Sequence, residues 1–100
     1  MFRYDFPYTL TAQPDDTDRV PAQRVSFSSY PGVLNSGDDF YVTSAGLVVQ
    51  ETTIGNSNGE LAEQFVSPLR LMEWLRVMLA NRLAGSGYKW PMLYSQHNSG

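Results

Sequence analysis

Cysteine is absent from the 100 residues. That absence excludes disulfides, thiolate zinc sites and a cysteine nucleophile within the chain. It fits an oxidising and a reducing compartment equally well. No apolar run approaches the roughly 18 residues that a membrane-crossing helix needs. The opening Met1-Phe2-Arg3-Tyr4-Asp5 lacks the apolar stretch of a secretory signal. There is no Asn-x-Ser/Thr acceptor for glycosylation. Positive charge is scarce: 7 Lys and Arg stand against 10 Asp and Glu, for a net charge of −3 and a pI of about 4.8. A nucleic-acid binder would show a basic face, and a protein drawn to anionic membranes a polybasic cluster. Neither is present. There is no G-x-S-x-G nucleophile elbow, Walker loop or G-x-G-x-x-G turn.

What is present suits a small globular unit. Hydrophobic residues make up 42% of the chain, enough for a core in one small domain, though a unit of this size buries little surface and is marginally stable. Residues 1–24 read as irregular. Within them Phe2, Tyr4, Phe6 and Tyr8 alternate, which fits a short strand or an aromatic patch, and Pro7 argues against the strand. Pro14-Asp15-Asp16-Thr17-Asp18 reads as an exposed turn. Period-two patterning predicts antiparallel strands at about 25–30, 39–44 and 47–54. Ser44-Ala45-Gly46 supplies a hairpin loop in which Gly46 takes positive φ. Leu47-Val48-Val49 is continuously apolar, which implies cover on both faces at that end. Gly55-Asn56-Ser57-Asn58-Gly59 reads as a loop, and Glu60 to Phe65 as about one helical turn. A helix is expected over 68–84, with Ser67 as N-cap, Pro68 in the first position and Gly85 as the left-handed stop. Its buried stripe would be Leu71, Leu75, Met78, Leu79 and Leu83. A short turn is expected near Trp90 to Tyr94. The class is α+β. A few strands and one helix cannot cover both sheet faces, so several apolar positions need partners outside the chain.

The chemically capable residues are few. His97 is the single histidine and has no Ser, Asp or Cys at a recognised spacing, so it reads as a surface residue. Glu51 and Glu73 could serve as acid or base, but no second carboxylate is placed to split their pKa values. Glu73 is expected to pair with Arg76 on its own helix. Asp38-Asp39 reads as turn capping rather than a metal corner, for want of further ligands. Ser28, Ser29, Thr52 and Thr53 are strand-end hydroxyls, suited to touching a ligand or to bonding local backbone.

Several short segments, in order and spacing, resemble the phospholipase B-like family. They are Phe27-Ser28-Ser29-Tyr30-Pro31-Gly32, Asp38-Asp39-Phe40-Tyr41, Ser44-Ala45-Gly46-Leu47-Val48, Glu51-Thr52-Thr53-Ile54-Gly55-Asn56, Glu73-Trp74 and Ala80-Asn81-Arg82-Leu83-Ala84. The final Asn98-Ser99-Gly100 resembles the opening of that family's N-S-G-T-Y-N-N-Q motif. The resemblance covers about residues 25–100, so 1–24 is expected to be a linker and 25–100 part of a hydrolase domain.

That likeness implies a partial αββα sandwich of the N-terminal-nucleophile type, with the helix at 68–84 on the outer face of one sheet. It implies a cysteine nucleophile, exposed by precursor cleavage and located outside this chain, whose own α-amino group acts as base. It implies acyl ester hydrolysis on phospholipids, an amide substrate being equally natural for the fold. The chain alone would then be inactive. Partners would be a phospholipid or other acyl substrate and the remainder of its own precursor, with no nucleic acid, no transmembrane segment, no cofactor and no metal. Location would be lysosomal or secreted. One pocket residue falls inside the chain: Thr53, whose hydroxyl would face the cleft and orient substrate. Asp39 and Asn98 would be structural. The rival expectations are a non-enzymatic binding or scaffold module and a subunit that joins a separately encoded nucleophile chain.

Overall fold

Alternating side chains build the sheet. A computed structural model describes residues 1–7, 9–10, 18–38 and 40–98. Strands β1 (Phe2–Asp5), β2 (Arg24–Phe27), β3 (Phe40–Thr43) and β4 (Val48–Gln50) form an antiparallel sheet in sequence order. The register pairs Tyr4 with Val25, Phe27 with Tyr41, and Tyr41 with Val49. Because successive side chains alternate, Tyr4, Val25, Phe27, Tyr41, Thr43 and Val49 share one face. Arg3, Asp5, Ser26, Phe40, Val42 and Val48 share the other. Helices α1 (Gly59–Phe65), α2 (Glu73–Leu83) and α3 (Lys89–Tyr94) follow. No helix among the described residues is long and apolar enough to cross a membrane.

The core lies between the first face and α2. Val25, Phe27, Tyr41, Ala22 and Val77 are buried together, with Tyr4, Phe6, Val49, Trp90 and Tyr94 packed around them. Phe27 sits between aromatic neighbours, 5.7 Å from the Tyr4 ring and 5.6 Å from the Tyr41 ring. The Ala22 N–H donates to the Arg82 carbonyl at 3.1 Å and ties the strand-leading segment to the end of α2. On the sheet's other face, Arg24 Nε donates to Asp5 Oδ1 at 2.6 Å. That bond is the main reason the Asp5 carboxyl sits below its usual 3.8. The pair is solvent-exposed and contributes little to stability.

Two turns are set by glycine. Gly46 has φ 80°, as the hairpin reading requires, and its N–H donates to the Thr43 carbonyl at 3.1 Å. Gly32, with φ 89°, follows Pro31 in a turn closed by the Val33 N–H on the Tyr30 carbonyl.

The structure corrects several expectations. Phe2–Asp5 is an edge strand inside the stretch read as irregular, since Pro7 lies beyond its end. The strand expected at 47–54 stops at Gln50, and 51–58 is exposed and irregular. The strand expected at 25–30 likewise ends at Phe27. Val48 is 63% exposed, so the apolar run is not covered on both faces within this chain.

The helix expected over 68–84 begins only at Glu73, with Met72 as its N-cap. Ser67 instead closes a local turn, its Oγ accepting from the Leu69 N–H. The reason lies at Leu71: its N–H donates to the His97 carbonyl at 3.2 Å, and it bridges Asn98, holding the backbone extended just before α2. Gly85 does not take positive φ; α2 ends in extended backbone at Ala84.

The buried stripe is also different. Arg76, Val77, Ala80 and Asn81 are buried, whereas Leu79 is 39% exposed. Small side chains let α2 approach the sheet closely. Leu71, Leu79 and Leu83 instead line a cavity of about 80 Å³ shared with Leu93 of α3.

Candidate functional site

Thr53 lies just beyond β4, in the exposed irregular stretch Glu51–Asn58. Its hydroxyl makes no hydrogen bond among the described residues, so it is free to meet a ligand. The strand β4 that carries this stretch borders an apolar groove of about 220 Å³, lined by Leu47, Val48, Val49, Gln50, Gly87 and Trp90. Hydroxyls on an exposed segment can donate to an ester or amide oxygen, and the groove, whose lining reaches Gln50, is largely apolar.

A polar and aromatic cluster joins α2 to α3. The Tyr94 hydroxyl donates to Glu73 Oε1 at 3.2 Å. Arg76, buried from solvent, donates through Nη1 to the Tyr94 carbonyl at 2.9 Å, and its guanidinium lies 4.6 Å from the centre of the Tyr94 ring. The expected Glu73–Arg76 pairing is thus replaced by two separate contacts to Tyr94. Trp90 stacks on Tyr94 at 4.8 Å, and its indole N–H donates to Asn81 Oδ1 at 2.8 Å.

Burial pushes the Tyr94 phenol above its usual 10.0, helped by the Glu73 and Glu51 carboxylates and opposed by Arg76. The fold favours neutral Tyr94, so its contribution to stability is full below pH 10.0 and is lost as pH rises through the folded midpoint. An NMR titration of Tyr94 is expected to show that raised midpoint, and Glu73→Gln is expected to lower it. An unchanged midpoint in the variant would remove Glu73 from the cluster.

The remaining sequence candidates are scattered. His97 is exposed with φ 54°, and its carbonyl serves the Leu71 bridge. Asn98 forms the other half of that bridge. Ser28 and Ser36 hydroxyls hydrogen-bond to each other at 2.8 Å. Ser36, almost fully buried, also receives the Phe40 N–H, while its own N–H donates to the Tyr41 hydroxyl. This network shapes the loop between β2 and β3. Ser29 Oγ is buried without a partner among the described residues. Thr52 is exposed like Thr53. Asp38 is exposed, while Asp39, Ser99 and Gly100 lie outside the described residues. No group of metal-ligating side chains gathers among the described residues.

Sequence reasoning missed Tyr94 and Asn81 as organising residues. The two ends of the Tyr94–Glu73 bond are 21 positions apart, and nothing in local periodicity joins them.

The fold and site define an α+β unit: an antiparallel sheet with α2 and α3 packed over one face, from whose last strand a hydroxyl-bearing segment leaves. The family model described as Phospholipase B matches residues 1–100, and the chain belongs to that family. It is similar to phospholipase B-like 1 of Homo sapiens, 47% identical over 79 residues, which are 79% of this chain and 14% of that protein. Phospholipase B-like 1 of Rattus norvegicus shows the same identity and the same coverage. A Bos taurus relative aligns with the whole chain at 45% identity over 101 residues. The chain spans 14% to 17% of the length of these curated relatives.

Proposed function

We propose that these residues form a structural and substrate-orienting segment of an acyl hydrolase that removes fatty acids from phospholipids. The observation that carries this reading is the family match across residues 1–100, in a chain that contains no cysteine. The nucleophile is a cysteine at a processed N-terminus outside this segment. Its α-amino group takes the thiol proton, the thiolate attacks the acyl carbonyl, and positioned donors hold the oxyanion. Water then releases the fatty acid from the acyl-enzyme. The segment by itself performs none of these steps.

Its part is architectural and local. The helices α2 and α3 pack over one face of the sheet, and on the opposite face Val48 is exposed while Phe40 and Val42 are half-buried. The apolar β3–β4 end of that face, with exposed Val48, suits packing against a second layer, as in an αββα sandwich. The proposed setting is lysosomal or secreted, with the rest of the precursor as the partner that supplies the second layer.

Thr53 is the proposed substrate contact. In the complete enzyme, Thr53→Val removes a hydroxyl at nearly constant volume. Phospholipid turnover, as kcat/KM, is expected to fall roughly tenfold, the worth of one hydrogen bond of about 1–1.5 kcal/mol. Thermal stability should hold, because the side chain is exposed and unbonded here. Unchanged turnover at unchanged stability would dismiss Thr53 as a pocket residue.

A further inference from the structure

We propose that the cavity between α2 and α3 receives one carboxylate, the side chain of an Asp or Glu from the remainder of the precursor, and that Arg76 binds it. This contact lies on the helix side of the segment, away from the sheet face proposed to meet a second layer. It does not depend on the hydrolytic reading. It needs only a larger protein around the chain, which spans 14% to 17% of its curated relatives.

Arg76 is 3% exposed and is the only buried charged side chain among the described residues. A guanidinium keeps its proton in any protein setting, so burial is not relieved by loss of the charge. A buried charge is costly unless an opposite charge and hydrogen bonds offset it. The segment supplies only part of that offset. Arg76 Nη1 donates to the Tyr94 carbonyl at 2.9 Å, and the guanidinium lies 4.6 Å from the centre of the Tyr94 ring. Arg76 Nε is buried with no acceptor among the described residues. No described carboxylate pairs with Arg76 either. Glu73, earlier on the same helix, gives its Oε1 to the Tyr94 hydroxyl, and Asp5 pairs with Arg3 and Arg24.

The cavity beside Arg76 has the size and lining for the missing partner. It measures about 80 Å³, with Arg76 in its wall together with Leu71, Leu79, Leu83 and Leu93. A water molecule takes about 30 Å³, so the space admits a carboxyl group on a short alkyl stem and is too small for a fatty acyl chain. The leucines suit the stem. The guanidinium suits the carboxylate, since charge-assisted bonds to arginine are the strong ones. Leu79 is 39% exposed, which leaves the leucine edge open to a covering element. Size and charge together point to an acidic side chain of the surrounding protein.

The test is thermal unfolding of the complete protein. Arg76→Met is expected to lower Tm by several degrees. Changing one particular Asp or Glu outside residues 1–100 to its amide is expected to do the same. The two changes together should lower Tm much less than their sum, because each alone strands a buried charge and the pair removes both. Additivity of Arg76→Met with every such amide variant would overturn the proposal. So would protection of the complete protein by butyrate, but not chloride, that disappears in Arg76→Met, because the site would then take a free carboxylate. If Arg76→Met fails to fold, a structure of the unmutated complete protein decides. It is expected to show an Asp or Glu oxygen from outside residues 1–100 within hydrogen-bond distance of the Arg76 guanidinium. Water, or a carboxylate of residues 1–100, in that place would overturn the proposal.

Discussion

Phe27→Ala is expected to cost about 3–5 kcal/mol, the largest single-residue loss in the chain. Phe27 is 3% exposed and lies at the middle of the core, with Tyr4 and Tyr41 on adjacent strands and Val77 from α2 in the same cluster. Truncation removes the ring that joins three strands to one helix and leaves a hole that none of those elements can fill alone. Domains have only about 5–15 kcal/mol of stability in total, and small ones sit near the lower end. The variant should therefore be largely unfolded under conditions where the parent chain is folded. Urea unfolding followed by tryptophan fluorescence measures the loss. A cost below about 1 kcal/mol would mean that the aromatic cluster is not the core.

Asn81→Ala is expected to cost about 2–4 kcal/mol through a different mechanism. Asn81 is 1% exposed, and its oxygen accepts from the indole N–H of half-buried Trp90 at 2.8 Å. Alanine leaves that half-buried donor without its protein partner and opens a void under α3. Trp90→Phe removes the donor instead. If the hydrogen bond is the main term, adding Asn81→Ala to Trp90→Phe should cost about 1–2 kcal/mol less than adding it to the parent. Strict additivity would assign the Asn81 effect to packing alone. Asn81 Nδ2 has no partner among the described residues, so the asparagine is held by one bond rather than by a full network.

The strands were legible where side chains alternate. Val25 and Phe27 stand on one face and Ser26 on the other, and the hairpin at Gly46 follows from its demand for positive φ. The ends of the elements were less legible, because distant contacts decide them. Ser67-Pro68 carries a strong helix-start signal, yet Leu71 is claimed by His97 and Asn98 from the far end of the chain. The buried face of α2 was misread for a related reason. Hydrophobicity points to the leucines, but close approach to the sheet selects Val77, Ala80 and Ala84, with Arg76 and Asn81 each held to α3 by one side-chain hydrogen bond.

Of the candidate site, Thr53 came from family resemblance and not from periodicity; its exposure beyond β4 is what the structure adds. The Tyr94 cluster was invisible in sequence, because its members become neighbours only when α3 folds back on α2. The exposure at the β4 end of the outer face was legible in part. The apolar run at Leu47-Val48-Val49 signalled a need for cover, and Val48 remains exposed on that face of this segment.

The central claim is that these residues belong to a larger hydrolase whose nucleophile lies elsewhere. Its most direct test is the mass and N-terminal sequence of the native protein, captured from its source with an antibody to residues 56–64. The account predicts a product several times larger than 11.2 kDa, containing a processed chain that begins with cysteine. A native product of 11.2 kDa, with no cysteine-led chain accompanying it, would contradict the account.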